Sequence, residues 1–179
     1  MIDTPVDRLE RILDAAHTCL LKHGIRKTTM EDIAAETGMS RPAVYQYVRG
    51  KQDTYRRLAD RLYGQAYAQA QLAAAADGTL TQRLDGVLAA RLGVRHRNEE
   101  LVAVAPDQHR AFEAGMSDLI TATIMEAAPL GESRAREVAE LVLALARGLE
   151  AEPDRARLRN GVALLVAGLA TLMDSGASL

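Results

Sequence analysis

Between Thr29 and Pro42 the sequence starts a helix, stops it and starts another, and few folds accommodate that in so short a stretch. Thr29-Met-Glu-Asp32 sets a hydroxyl three residues ahead of a carboxylate, a Thr-x-x-Asp variant of the capping box. Gly38 offers the left-handed stop. Ser40 is a good cap for the next helix, and Pro42 falls in its first turn, where a missing N–H costs nothing. The spacing predicts helix, three-residue turn and helix over residues 29–48, which is helix-turn-helix geometry.

Apolar stripes of helical period flank this element. Leu9, Ile12, Leu13, Ala16 and Leu20 form one on a helix from Val6 to His23, closed by Gly24. A long helix over about residues 52–75 carries Tyr55, Leu58, Ala59, Leu62, Ala66 and Ala70, and the next carries Leu80, Leu84, Val87, Leu88 and Leu92. Residues 93–107 are less regular. Pro106, Pro129 and Pro153 then separate helices expected over 108–127, 132–151 and 154–173. With 32 Ala, 24 Leu and 3% aromatic residues, helix is favoured throughout and strand nowhere. The expected fold is all-α: a three-helix helix-turn-helix domain over residues 1–51, joined by a long helix to a helical body over residues 52–179.

The net charge of −2 hides an asymmetry. Residues 22–57 carry eight basic groups against four acidic ones, while residues 61–179 carry twelve against fifteen. A local basic patch on a slightly acidic body suits a small module that reads nucleic acid. One Cys excludes an internal disulfide and a Cys-rich zinc site. The start MIDTPVDRLE lacks the signature of a signal peptide, and the longest uncharged apolar run, Gly161 to Met173, is 13 residues, short of a bilayer span. A cytoplasmic protein is expected.

On a helical wheel Val44 and Val48 turn inward, leaving Pro42, Gln46, Ala43 and Tyr45 outward, with Arg41 at one end and Arg49 and Lys51 at the other. That face suits a major groove: small residues allow close approach, and Gln46 and Arg41 match adenine and guanine edges. Hydroxyls and cations at the flanks hold phosphates. Arg41, Ala43 and Gln46 are the expected base contacts.

Gly24-Ile-Arg-Lys-Thr-Thr29-Met-Glu-Asp-Ile33-Ala34, then Gly38-Met-Ser40, Val44-Tyr45-Gln-Tyr47-Val48 and Lys51 together resemble the N-terminal domain of the tetracycline-repressor (TetR) family. The resemblance covers about residues 8–60. It departs at Val48, where Phe is commoner, and at Pro42, where Gly, Lys or Ala is usual. What it implies is a transcriptional regulator acting as a homodimer on a double-stranded DNA operator, with Thr29, Ser40, Arg41, Pro42, Ala43, Tyr45, Gln46, Tyr47 and Lys51 as the DNA contacts, usually released by a small-molecule effector held in the C-terminal body.

Two readings of the body follow. The apolar faces of its last two helices suggest a dimer interface through Leu141, Leu145, Leu149, Leu158, Val162, Leu165 and Leu169, and hence a palindromic operator. An effector pocket would draw on Tyr63, Tyr67, Arg91, His96, His109, Phe112 and Met116; with so few aromatics its ligand is expected to be mainly apolar. No Gly-rich phosphate loop, nucleophile elbow or His-Glu-x-x-His is present, so neither enzyme activity, cofactor nor metal is expected. Repression is the leading expectation. The alternatives are a DNA-binding regulator without an effector, one controlled by a protein partner, and a helical adaptor whose helix-turn-helix is structural.

Overall fold

The structure is a computed structural model whose described residues are 4–148 and 154–174, with the side chains of 95–97 and 169–174 outside the description. The described residues form α1 (Pro5–Lys27), α2 (Met30–Thr37), α3 (Arg41–Val44), α4 (Lys51–Ala74) and α5 (Leu80–Arg97), followed by α6 (Glu99–Val104), α7 (Pro106–Ala127), α8 (Glu132–Gly148) and α9 (Arg155–Asp174), with no strand among them. Among them no helix is long and apolar enough to cross a membrane.

Local chemistry accounts for most helix ends. Thr4 and Asp7 cap α1 reciprocally, the Asp7 N–H donating to Thr4 Oγ1 at 3.2 Å and the Thr4 N–H to Asp7 Oδ2 at 2.9 Å. Thr29 and Asp32 repeat that arrangement at α2, which stops at Gly38 in the left-handed region (φ 68°). The stop expected at Gly24 is instead a kink. Gly24 adopts φ 76° and ψ 161°, and the chain then completes one more turn to Lys27.

α3 is shorter than the expected helix. After Val44 the backbone tightens into i→i+3 turns, Gln46 donating to the Ala43 carbonyl at 3.2 Å and Tyr47 to that of Val44 at 3.0 Å. Val44, Tyr45, Tyr47 and Val48 are β-branched or aromatic and have little helix propensity to oppose this. The turns still bury both valines on one side, at 0% and 1% exposure.

The chain forms two compact units, Met1–Gly64 with Arg97–Ala111, and Gln65–His96 with Phe112–Leu179, so α4 contributes residues to both. The first packs Ile12, Leu13 and Leu20 of α1 with Ile33, Val44, Val48, Tyr55 and Leu58, all buried. It also takes in α6, which the sequence left irregular: Leu101 is fully buried, His17 Nε2 lies 2.9 Å from Asn98 Oδ1, and the Ile25 N–H donates to Glu100 Oε2 at 2.7 Å. The core of the second includes Leu84, Leu88, Met116, Ile120, Val142, Leu158 and Val162. There Arg91, fully buried, donates to Glu113 from Nε at 3.0 Å and Nη2 at 2.9 Å. Gly115 lets α7 approach Tyr67 so closely that a Cβ would lie 3.1 Å from its ring.

Candidate nucleic-acid interface

α1, α2 and α3 turn one polar surface outward. Val44 and Val48 anchor it from beneath, and Arg41, Pro42, Tyr45 and Gln46 are exposed above them, with Ala43 and Tyr47 half-buried. The side-chain amide of Gln46 has no hydrogen-bonding partner among the described residues, so both of its ends face solvent. Ser40 caps α3 by accepting weakly from the Ala43 N–H (3.4 Å). Thr29 is more fully used: its hydroxyl accepts from the Asp32 N–H at 3.2 Å and donates to Asp32 Oδ2 at 2.8 Å. These bonds from the Thr29 backbone and hydroxyl hold the Asp32 carboxyl below the usual carboxylate range.

The tyrosines have cationic neighbours. Arg8 of α1 donates from Nη1 to the Tyr47 hydroxyl at 3.3 Å. Arg41 donates from Nη2 to the Tyr45 hydroxyl at 3.4 Å, its Cζ lying 5.5 Å from the Tyr45 ring centroid. Arg41 also pairs through Nη1 with Glu31 of α2. That carboxylate comes from α2, outside the 41–49 segment. The Tyr45 hydroxyl first, then Glu31, favour the charged guanidinium further.

Lys51 stands apart. Its ammonium donates to the carbonyls of Ile25 at 2.8 Å, Arg26 at 3.3 Å and Thr28 at 2.9 Å, closing the C-terminal end of α1. The four acids of the basic window are likewise engaged: Glu36 with Lys22 (2.9 Å), Glu31 with Arg41, Asp53 with Arg57 (3.1 Å), and Asp32 in its cap. Burial raises the Asp53 carboxyl, but the Arg49 N–H and the Arg57 guanidinium outweigh it and leave it lowered. Arg26, Lys27 and Arg56 are exposed with no carboxylate partner among the described residues. Sequence reasoning passed over Arg8, Glu31, Arg26 and Lys27. The signal available for the last two was their position in the last turn before the Thr29 cap; for Arg8 and Glu31 there was none.

Residues 12–58 match the family model of bacterial regulatory proteins, tetR family. The match takes in the helix-turn-helix and covers about a quarter of the chain. The likeness in fold extends well beyond these residues. A transcriptional regulator of the TetR/AcrR family from Thermobifida fusca superimposes with a TM-score of 0.70 at 19% identity, covering 90% of this chain and 98% of that one. The fatty acid degradation regulator FadR from Bacillus halodurans does so at 0.66 and 16%, covering 88% and 94%. FadR from Bacillus subtilis, solved in complex with stearoyl-CoA, gives 0.64 and 18%, covering 89% and 98%. No curated protein matches the chain in sequence. With this matched domain the protein is a DNA-binding transcription regulator.

The residues expected to serve a tetR-type effector fall in two groups. Tyr63 and His109 belong to the first compact unit, their ring centroids 5.9 Å apart. Tyr67, Arg91, Phe112 and Met116 belong to the second, where Arg91, Phe112 and Met116 are buried. The His96 side chain lies outside the described residues. Of the expected dimer residues, Leu141 is 56% exposed and Leu145 and Leu165 are partly so. Leu158 and Val162 are already packed inside the single chain, at 2% and 0%. Leu149 and the Leu169 side chain lie outside the described residues. Leu164, 75% exposed, was not expected there. Among the described residues no group of His, Cys, Asp or Glu is placed to hold a metal ion.

Proposed function

We propose that the protein is a cytoplasmic, homodimeric repressor that binds a palindromic DNA operator and is released from it by a small, mainly apolar ligand. The observation that carries this is the exposed Arg41–Gln46 face with its unpartnered Gln46 amide, set on a tetR-family domain. In this reading Gln46 and Arg41 read bases, Pro42 and Ala43 allow close approach, and Thr29, Ser40, Tyr45, Tyr47 and Lys51 hold the backbone. Residues 1–51 carry DNA recognition, and residues 52–179 carry effector binding and dimerisation. Leu141, Leu145, Leu164 and Leu165 supply apolar surface on α8 and α9 for a second copy. Two recognition elements then read half-sites about one helical turn apart. The likeness to a FadR solved with stearoyl-CoA supports a ligand that carries an apolar portion. α4 is one uninterrupted helix from Lys51 to Ala74, so a ligand that displaces its far end alters the spacing of the two recognition elements. It releases DNA only if it binds the misaligned state better.

Fluorescence anisotropy tests this, using the tightest duplex selected from a random-sequence library and a random duplex, over a salt series with and without acyl-CoA. A palindromic selected site, a preference of about a thousandfold and a steep salt slope support a sequence-specific dimer. Release by an acyl-CoA supports the effector reading. Equal binding to both duplexes overturns the proposal.

A further inference from the structure

We propose that Glu31 is a specificity-determining positioning residue for DNA reading: from α2 it holds the Arg41 guanidinium in place for a guanine edge, while its own charge restrains binding to DNA at large. The inference rests on the reading of residues 41–46 as the base-reading face. Glu31 lies in the first turn of α2 and Arg41 in the first turn of α3, and both are largely exposed, at 58% and 53% of the side chain. An exposed pair of this kind adds little to stability. Its effect is on the guanidinium. Nη1 is engaged by Glu31 and Nη2 by the Tyr45 hydroxyl, with the Tyr45 ring alongside. Glu31 holds the guanidinium by charge and Tyr45 by one hydrogen bond, and the N–H groups left over are available to guanine O6 and N7.

An unsupported arginine on a DNA-facing surface loses rotamer freedom when it reads a base, and it also pairs readily with any phosphate in reach. Held on two sides, Arg41 has already lost much of that freedom and is turned from indiscriminate phosphate pairing. The carboxylate itself repels the DNA backbone regardless of sequence. Removing it therefore has two effects of opposite sign: binding to arbitrary DNA tightens, and discrimination at the guanine position falls. A residue that only stabilised the fold would move both affinities the same way.

The test uses the full-length chain and four proteins: wild type, Glu31→Gln, Arg41→Ala and the double variant. Each is titrated against the duplex that wild type selects from a random library, that duplex with each position changed singly, and a random duplex. Circular dichroism checks that each is folded. Glu31→Gln is expected to tighten random-duplex binding about threefold. It should lower the preference for guanine at one position per half-site about fivefold. In the Arg41→Ala background the same change should tighten random binding but leave discrimination untouched. If Arg41→Ala removes the guanine preference while Glu31→Gln leaves every preference unaltered, the positioning role is overturned and the base-reading face stands. If Arg41→Ala changes no preference at any position, the reading of the face fails, and this inference fails with it.

Discussion

The Glu100 carboxylate accepts a hydrogen bond from the backbone N–H of Ile25 at 2.7 Å, across 75 residues of chain. It therefore sits against the kink in α1, where a Cβ on Gly24 would come within 2.7 Å of Glu100 Oε1. Gly24→Ala should destabilise the protein for two reasons. A side chain at φ 76° and ψ 161° costs about 1–3 kcal/mol, and the carboxylate must move. Adding Glu100→Ala to Gly24→Ala should recover the steric part alone, so the pair is less than additive in urea unfolding. Strict additivity would mean that the two residues do not meet.

Lys51 separates a structural role from a DNA role. Lys51→Met keeps the aliphatic stem and removes the donors to the carbonyls of Ile25, Arg26 and Thr28, so a loss of about 1–3 kcal/mol in urea unfolding is expected. If the ammonium also meets phosphate in the complex, the salt slope of DNA binding falls by about one unit. A stability loss with an unchanged slope assigns Lys51 to the closure of α1 only.

Gln46 and Tyr47 should differ in kind. Gln46→Ala is expected to relax preference at one base position per half-site, by about 1–3 kcal/mol. Tyr47→Phe removes the acceptor of the Arg8 hydrogen bond together with a phosphate donor. It should weaken specific and random duplexes alike. Equal losses on both duplexes from Gln46→Ala would remove it from base reading.

The Thr29–Asp32 cap predicts acid behaviour. The Asp32 carboxyl is held below its ordinary value of 3.8 by the Thr29 backbone and hydroxyl bonds, and Asp7 likewise by the Thr4 hydroxyl and then the Thr4 backbone. A carboxyl with a lowered folded pKa contributes stability that is present above its unfolded value and lost as pH falls through the folded one. Stability should therefore decline below the ordinary aspartate range. In the Asp32→Asn variant that acid-side slope should be shallower. An identical slope in wild type and variant, followed by circular dichroism from pH 6 downward, would show that the cap does not titrate with folding.

Leu164 tests the dimer. At 75% exposure it contributes little to the fold of the single chain, so Leu164→Glu should leave circular dichroism unchanged. In a homodimer packed through α9 it should shift the species seen by analytical ultracentrifugation toward monomer and abolish tight binding to a palindrome. An unaltered dimer places the interface elsewhere.

Helix starts and stops were legible because each is local. A Thr three residues before Asp, a Gly at a left-handed stop and a Pro in a first turn act within one turn of chain, and the apolar period reports which side of a helix will be buried. Val44, Val48, Leu58 and Ile33 were therefore readable as core before any fold was known. The length of α3 was not, because its last residues answer to the burial of Val48 rather than to propensity. Nor was the division of the apolar residues on α9, where Leu158 and Val162 pack within the chain and Leu164 faces out: the 3.6-residue period gives a face, and the neighbours decide what covers it.

By itself, then, the sequence determined an all-α chain with a capped helix-turn-helix and the tetR-type face that it presents. Only the tertiary structure decided how that face is held. Glu31 reaches Arg41 across the turn that joins α2 to α3, Lys51 closes α1 because α4 starts beneath its last carbonyls, and Glu100 meets Ile25 because α6 belongs to the first compact unit. Each of these contacts joins groups on separate helices, and no periodicity or cap within either helix encodes the partner.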